Sequence, residues 1–332
     1  MSEPMDWLSR LLELVPVRGR LDLRCFYGAP WRIEQGPGAP GEIPYHAVLS
    51  GSAVLEDPAG GRPRRLTAGD ILLLPRNPRH VLHDGGGGPP MPAEARVRLN
   101  VTFSENAGTG DRLDMLCGHF MLSPPHDRLV SDHLPPQLVV RAADHSAAVA
   151  PPGAGAQLAG LVSLLRLESA VESLGSRAML NALSTAMFAL TLRLASEADT
   201  APTGLLALAG HPRLAPALTA LFQNPAHPWS LPELARLCHM SRATFARHFQ
   251  ESLGRSAAEL LTDIRMTLAA NLLRNSTTAA GAVADAAGYQ SEAAFQRAFK
   301  QHMGVTPAQW RRSAPTADGE PAAARDPAAP PH

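Results

Sequence analysis

The chain has 332 residues, 45% of them hydrophobic, with 30 basic and 30 acidic side chains and no net charge at pH 7. This length allows two domains with cores of their own, and three cysteines at irregular spacing exclude a disulfide scaffold and a cysteine zinc site. No apolar run reaches membrane-spanning length and the N-terminus lacks a signal-peptide core, so we expect a cytoplasmic protein with no membrane partner.

The N-terminal part of the chain predicts a short helix followed by many short strands. Met5–Val17 places leucines at helical spacing. From Gly19 to about Phe120 the strand-like stretches, separated by Gly and Pro, are LDLRCFYG, WRIEQ, YHAVLSGSAVLE, RRLTAGDILLLP, HVLH, ARVRLNVTFS and RLDMLCGHFML. Strands of this length and spacing are typical of an antiparallel barrel or sandwich. Ser123–Ala150 is expected to be irregular.

One stretch, GDILLLPRNPRH (Gly69–His80), resembles the second conserved motif of cupins, with Asn77 where the motif has its second glycine. Because Asn tolerates a left-handed backbone conformation, we expect the turn to survive. YHAVLSGSAVLE resembles a first cupin motif without the two-histidine pair and the glutamate of metal cupins. The resemblance implies that residues 1–150 form a cupin-like sensor domain.

Residues 151–204 predict a helical connector. Gln157–Ser173 and Ser176–Ala198 form two amphipathic helices, and their apolar sides are wider than one contact surface needs. Packing on the barrel and burial in a homodimer interface both remain open. The Pro/Ala-rich tail, residues 314–332, has no means of burying a core, and we expect it to be disordered.

The stretch that organises the chain contains two helix-turn-helix patterns in tandem. In the first, Ser230 and Glu233 have the spacing of a capping box, and Ser241 precedes the second helix of the pattern. In the second, Ser291 precedes the equivalent helix. The two second helices carry phenylalanines at the same spacing, Phe245 and Phe249 in one and Phe295 and Phe299 in the other.

A connecting helix of about eighteen residues, roughly 27 Å long, is predicted between the two patterns. With its end turns it would hold two recognition helices about 34 Å apart, which is one turn of B-DNA. His211–Arg312 also carries eleven basic and six acidic side chains, whereas the remainder of the chain is acidic. We therefore expect residues 205–313 to form an all-α domain that binds double-stranded DNA.

These patterns resemble the AraC/XylS family of transcription regulators. The matching residues are Ala257, Arg265, Ala269, Leu272, Leu273, Gly288, Tyr289, Ser291, Phe295, Arg297, Phe299, Lys300, Gly304, Thr306, Pro307, Trp310 and Arg311. The resemblance implies an α+β multidomain protein made of a cupin-like antiparallel β-barrel, a helical connector and two helix-turn-helix units. It also implies a transcription activator that contacts RNA polymerase, with a homodimer as an open alternative, and not an enzyme.

The exposed early side chains of a recognition helix are the candidates for DNA contact. They are Ser241, Arg242, Ala243, Ala246 and Arg247 in the first unit, and Ser291, Glu292, Ala293, Gln296 and Arg297 in the second. Arg247 is the candidate for reading guanine and Arg242 for binding phosphate. Gln296 is suited to adenine, and Arg297 to guanine or phosphate. The two serines stand where exposed N–H groups bind phosphate.

Two thiols, Cys25 and Cys117, lie in predicted strands. One interpretation makes them small buried hydrophobic residues. The other follows from a closer resemblance, carried by MDWLSRLL, LDLRCFYGAPW, YHAVLSGSAVLE and GDILLLPRNPRH, to the cupin-type AraC subgroup that includes a reactive-chlorine-responsive activator. That activator senses oxidant through cysteines, so the resemblance implies that oxidation of these two cysteines shifts the DNA-bound state.

His46 and His80 occupy the histidine positions of the two cupin motifs and are the candidate metal ligands. Two histidines without a carboxylate predict a weak site, so no cofactor is expected. A small apolar or aromatic effector in the barrel is a further alternative. Two other classes are a cupin enzyme fused to a helical domain, which the missing motif ligands disfavour, and an architectural DNA binder, which leaves the barrel unexplained.

Overall fold

A computed structural model describes residues 5–56, 61–123, 126–142, 153–198 and 204–313. Its strands are β1 (Val17–Gly28), β2 (Arg32–Gln35), β3 (Glu42–Ser50), β4 (Ser52–Leu55), β5 (Arg64–Thr67), β6 (Asp70–Leu73), β7 (His80–His83), β8 (Ala93–Val97), β9 (Thr102–Asn106), β10 (Arg112–Leu122) and β11 (Leu138–Arg141). The predicted tail, residues 314–332, and residues 199–203 at the end of the predicted connector lie outside the described residues.

One helix precedes these strands, one lies between β10 and β11, and the other described helices follow β11. The helices are α1 (Trp7–Leu14), α2 (His126–Ser131), α3 (Ala154–Ser169), α4 (Ser176–Ser196), α5 (Leu205–Gly210), α6 (Ala215–Gln223), α7 (Leu231–Leu237), α8 (Arg242–Leu253), α9 (Ala257–Asn275), α10 (Ala280–Ala286), α11 (Glu292–Met303) and α12 (Pro307–Arg312). The irregular stretch expected at Ser123–Ala150 was partly wrong, because α2 and β11 form within it.

The strands form two sheets that enclose an apolar interior. One has seven strands in the order β11-β6-β3-β10-β1-β9-β8, and the other has four in the order β2-β7-β4-β5. Side chains from both sheets share one buried cluster, which includes Cys25, Met115, Ala53 and Leu82. The predicted cupin-like barrel is confirmed, with one difference: β9 pairs with β1 in parallel, so the barrel is not purely antiparallel.

The turn at Asn77 has the geometry expected from the second cupin motif. Asn77 adopts a positive φ of 44°, a conformation that Asn accepts more readily than most residues with a side chain. Asn77 lies just before β7, which begins at His80. The replacement of glycine by asparagine therefore leaves His80 at the start of its strand.

Helix α4 corrects the expectation that no apolar segment is long enough for a membrane. Among the described helices, α4 is long and apolar enough to cross a membrane by length and composition, although one such helix is weak evidence for a membrane span. Two residues in the middle of α4 form hydrogen bonds with the seven-stranded sheet. The Gly19 N–H donates to Thr185 Oγ1 at 2.8 Å, and the Tyr45 and Ser184 hydroxyl groups lie 3.0 Å apart. These contacts make α4 a core helix, since its apolar face covers β1.

Two buried clusters divide the helical part of the chain. One extends from the seven-stranded sheet through α1, α3 and α4 into α5–α8 and the first half of α9. The other contains the second half of α9 together with α10, α11 and α12. The sensor domain therefore shares a continuous core with the first helix-turn-helix unit, α7–α8, while the second unit, α10–α11, has a core of its own.

Candidate functional site

Each helix-turn-helix unit begins its second helix at a serine. Ser241 Oγ accepts a hydrogen bond from the Thr244 backbone N–H at 3.2 Å, and Ser291 Oγ accepts one from the Ala294 N–H at 3.2 Å. Each oxygen satisfies one free N–H group of the first helical turn. The predicted capping roles of both serines are confirmed, and their contact with phosphate stays a prediction.

The side chains predicted to contact DNA lie on the exposed faces of α8 and α11. The exposed set is Ser241, Arg242, Ala243, Ala246, Arg247, Ser291, Glu292, Ala293, Gln296 and Arg297. The segments 241–250 and 291–300 have the same order of exposed and buried positions. Within the part of the chain that the structure describes, Arg247 and Arg297 form no hydrogen bond or ion pair, so both guanidinium groups can reach a ligand.

The opposite faces of α8 and α11 are fixed by aromatic side chains. Phe245 and Phe249 are fully buried with ring centroids 5.4 Å apart, and Phe295 and Phe299 repeat the arrangement at 5.5 Å. This packing sets the rotation of each helix about its axis and hence which residues face outward. Each unit therefore presents an arginine from a rigid element.

The structure brings the two predicted redox cysteines together. In the antiparallel pairing of β1 with β10, Cys25 lies opposite Met115 and Leu23 lies opposite Cys117. The two cysteines are thus diagonal neighbours on the inner face of the sheet, with their Sγ atoms 3.8 Å apart. Both are free thiols, and their residues are 1% and 7% exposed.

Arg24 points away from these thiols, as the alternation of a strand requires. On the outer face its guanidinium forms a two-pronged ion pair with Asp114, at 3.1 and 2.9 Å. It also donates to the Arg166 carbonyl and to Ser169 Oγ, both in α3 and both at 3.1 Å. Arg24 therefore joins the sheet to α3 and does not activate Cys25.

The two predicted metal ligands adjoin the thiols. His46 lies directly opposite Cys117 in the pairing of β3 with β10, and its Nδ1 is 3.2 Å from Cys117 Sγ. The Nε2 of His46 is 2.9 Å from the Nε2 of His80, whose Nδ1 is 3.1 Å from the Pro78 carbonyl. A carbonyl only accepts, so a neutral His80 carries its proton on Nδ1 and accepts at Nε2 from His46. The Nδ1 of His46 is then an acceptor that faces Cys117.

Burial and hydrogen bonding change the pKa values of the two histidines and the two thiols. Burial lowers the pKa of His46 to about 3 and also lowers the pKa of His80, so both rings are neutral at pH 7. The hydrogen bond from Cys117 lowers the pKa of Cys25, whereas the bond to Cys25 and burial raise the pKa of Cys117 well above its usual value. Cys25 is therefore the more acidic of the two thiols.

Among the described residues, no group of three or more His, Cys, Asp or Glu side chains is placed to hold a metal ion. His46 uses one ring nitrogen toward Cys117 and the other toward His80, so its two nitrogens do not converge on one point. Metal binding by His46 and His80 stays a prediction.

A polar cluster that no sequence pattern predicts lies between the sensor domain and both helix-turn-helix units. Its centre is Asp263 of α9, whose carboxylate is 2.7 Å from His133 Nε2, 3.3 Å from Arg255 and 3.6 Å from His302 Nε2. Arg128 of α2 donates to the His302 carbonyl at 2.9 Å. A cavity of about 440 Å³ is lined by several of these residues. No local pattern predicts contacts between residues so far apart in sequence.

Comparison with known proteins supports the same division of the chain. A cupin family model matches residues 6–197, and a helix-turn-helix domain model matches residues 234–313. The first match covers more than half of the chain and contains the two-sheet barrel, α3 and α4. The second contains both recognition helices.

Curated relatives align along nearly the whole chain. An uncharacterized HTH-type transcriptional regulator of Haemophilus influenzae is 31% identical, covering 93% of this chain and 99% of the relative. The HTH-type transcriptional regulator MtrA of Neisseria gonorrhoeae is 30% identical, with 93% and 98% coverage. The RCS-specific HTH-type transcriptional activator RclR of Escherichia coli is 29% identical, with 92% and 97% coverage.

These relatives are named as transcription regulators, which confirms the prediction of a regulator and not an enzyme. The cupin-like domain, the paired helix-turn-helix units and the full-length relatives lead to one conclusion. The chain belongs to the AraC family of DNA-binding transcription regulators, in the group that carries a cupin domain at the N-terminus.

Proposed function

We propose that this regulator responds to an oxidant such as hypochlorous acid through Cys25 and Cys117. The observation that carries the proposal is the 3.8 Å separation of the two sulfur atoms inside the barrel. A disulfide bond is about 2.05 Å long, so the sulfur atoms need to approach by less than 2 Å. The full-length similarity to RclR, whose name calls it an RCS-specific activator, supports the same signal.

The reaction conserves atoms and electrons. The more acidic thiol, Cys25, attacks chlorine: an S–Cl bond forms, the O–Cl bond breaks, and the thiol proton leaves with the hydroxide as water. Cys117 then displaces chloride as the S–S bond forms and gives up its proton. The two thiols lose two electrons in total, and the hypochlorous acid is reduced to chloride and water.

Strand β1 connects this reaction to the DNA-binding domain. It follows α1 in the chain, and α1 packs against α6 and α9 of that domain. Gln223 of α6 donates to the Met5 carbonyl at 2.7 Å, and Asn271 of α9 donates to the Leu14 carbonyl at 2.8 Å. Drawing Cys25 toward Cys117 displaces β1, so we infer that α1 carries the change to the DNA-binding helices.

We further infer the DNA-contact roles of the exposed face. Arg247 and Arg297 read guanine through paired hydrogen bonds, Arg242 binds phosphate, and Gln296 reads adenine once it leaves Glu292, to which it donates at 2.8 Å. The activator name of RclR supports activation and contact with RNA polymerase for this chain as well. We also infer a cytoplasmic homodimer, consistent with relatives that act on DNA.

The test is a selection of bound sites from random DNA with reduced and with hypochlorite-treated full-length protein. We expect the treated protein to lose two hydrogen atoms in mass spectrometry and to change its affinity for the selected site. The Cys25→Ser, Cys117→Ser double variant should bind DNA without this response. A normal response in the double variant contradicts the proposal.

Cys238 offers a matched control. It is a third buried free thiol, lies at the end of α7 and has a pKa raised by burial. A Cys238→Ala variant should respond to hypochlorite as the wild type does. A response that instead requires a stoichiometric bound ion would replace the thiol proposal with the metal alternative at His46 and His80.

A further inference from the structure

Several exposed apolar side chains lie on α3 and on the segment that follows it. Leu164 and Leu167 are 54% and 66% exposed on α3. In the segment after α3, Val171 is 44% exposed and Leu174 is fully exposed. Soluble monomers rarely leave a contiguous apolar surface of this kind uncovered.

Strand β8 adjoins this region. Val97 is 84% exposed and Leu99 is 67% exposed. The Asn100 side-chain amide donates to the Val171 carbonyl at 3.2 Å, so the turn after β8 lies against the end of α3. We call the β8–α3 surface the set of Val97, Leu99, Leu164, Leu167, Val171 and Leu174.

Strand β8 is also an edge of the seven-stranded sheet. It pairs with β9 on one side only, and all five of its residues are exposed. The other side presents backbone N–H and C=O groups that another strand can bond. Proteins often block such edges with charged side chains, especially lysines. Here the two charged residues have opposite signs, and therefore they do not prevent pairing with a suitable strand.

The charges of β8 match those of a second copy of the same strand. In an antiparallel pair with a two-fold axis at Ala95, Glu94 of each copy lies opposite Arg96 of the other. The small Ala93 then lies opposite the exposed Val97. Within one chain Glu94 and Arg96 are 4.0 Å apart and largely exposed, so neither is committed to a strong internal contact. Opposite charges across a strand pair are favourable, and the symmetry provides two such pairs.

We propose that β8 pairs with β8 of a second copy, so that the two seven-stranded sheets become continuous, and that the β8–α3 surfaces pack against each other across the two-fold axis. This gives the homodimer inferred under the proposed function a specific, self-complementary interface. The recognition helices α8 and α11 lie in the other domain and stay exposed. The dimer thus carries four recognition helices for DNA.

The test uses charge reversals in the full-length chain. Analytical ultracentrifugation should show a dimer for the wild type. Glu94→Arg and Arg96→Glu should each raise the dimer dissociation constant about tenfold or more, because each places like charges opposite each other twice. An equimolar mixture of the two variants should restore association, since arginines at both positions of one chain then face two carboxylates of the other.

Arg79→Glu is the matched control, because it makes the same charge change just before β7, beside the four-stranded sheet, and should leave the dimer intact. Leu167→Glu should weaken the dimer as well, since it places a charge in the apolar part of the interface. A monomeric wild type that still binds its selected DNA site overturns the dimer interface while leaving DNA binding and the thiol response standing. Dimers that persist in both single β8 variants overturn the strand pairing.

Discussion

The two helix-turn-helix units repeat one pattern of buried and exposed residues, yet they are attached to the protein differently. The first unit packs into the core that continues to the sensor sheet, whereas the second has a separate core. The second unit reaches the sensor through α9, and through His302 and its contacts with Asp263 and Arg128. A change in the barrel is therefore expected to reach the first unit through packing and the second through a polar contact.

The turns within the units differ as well. In the first unit His239 adopts the positive φ, and Ser241 follows two residues later. In the second unit Gly288 takes that role, and Gln290 is an added residue before the Ser291 cap. A side chain at Gly288 would lie 2.6 Å from the Ala226 carbonyl, so that position is restricted to glycine by space and by backbone conformation. The two recognition helices therefore share one pattern of exposed and buried residues but follow turns that differ by one residue.

Truncating the equivalent core rings should give the largest contrast. Phe249→Ala and Phe299→Ala each remove a fully buried ring and should cost about 3–5 kcal/mol of unfolding free energy. We expect Phe249→Ala to lower the shared transition of sensor and first unit in calorimetry, and Phe299→Ala to produce a separate early transition of the second unit. Identical single transitions in both variants would show that the two cores unfold as one.

Removing the exposed arginines should reveal whether the two units read DNA equally. Arg247→Ala and Arg297→Ala should each weaken binding to the selected site by about 1–3 kcal/mol and relax the preference at one base pair. Arg193→Ala, an exposed arginine of α4, is the control for the loss of one charge. Uniform weakening at all sites, with only a smaller salt dependence, would assign the arginine to phosphate instead.

Acid should destabilise the sensor side. The folded protein holds the pKa of His46 at about 3, compared with 6.5 in the unfolded chain, so below pH 6.5 the unfolded state binds the additional proton. Stability is therefore complete above pH 6.5 and decreases as the pH falls toward 3, by about 1 kcal/mol at pH 5.5 from this residue alone. Calorimetry from pH 7.5 to 5.5 checks this, and a transition temperature that rises on acidification would contradict it.

The helix caps should give the smallest and most closely matched effects. Ser241→Ala and Ser291→Ala each remove one hydrogen bond to a first-turn N–H and should cost about 1 kcal/mol. Ser241→Ala should shift the shared transition, and Ser291→Ala the transition of the second unit. The Thr substitutions keep the acceptor oxygen and serve as controls that should stay close to the wild type.

Much of the fold could be predicted because the signals are local. The serine caps and the phenylalanine spacing depend on neighbours within one or two helical turns. The same is true of Gly254 and Gly304, the glycines at which α8 and α11 end. The strands of the barrel followed from alternation and turn residues. The parallel pairing of β9 with β1 could not be predicted, because it depends on how a later strand returns to the sheet.

The DNA-contact residues could be predicted from the sequence, whereas the contacts among the thiols and histidines could not. The exposed faces of α8 and α11 followed from helical periodicity, since a residue's direction is set by its position in the turn. Cys25, Cys117, His46 and His80 were each singled out, but as two separate hypotheses. In the structure these four side chains are in contact, each with the next. That contact depends on the register of β3, β10 and β1, and on the approach of the two sheets.

By itself the sequence determined the kind of protein this is: two DNA-binding helical units, one linking helix and a cupin-like barrel, because caps, periodicity and motifs act over short distances. Only the tertiary structure decided which unit shares the sensor core, that Asp263 connects both units to the sensor, and that the two thiols lie 3.8 Å apart beside His46. Those features join residues far apart in sequence, 92 positions for the two thiols and 130 for His133 and Asp263, and burial and sheet register create them only when the whole chain is folded.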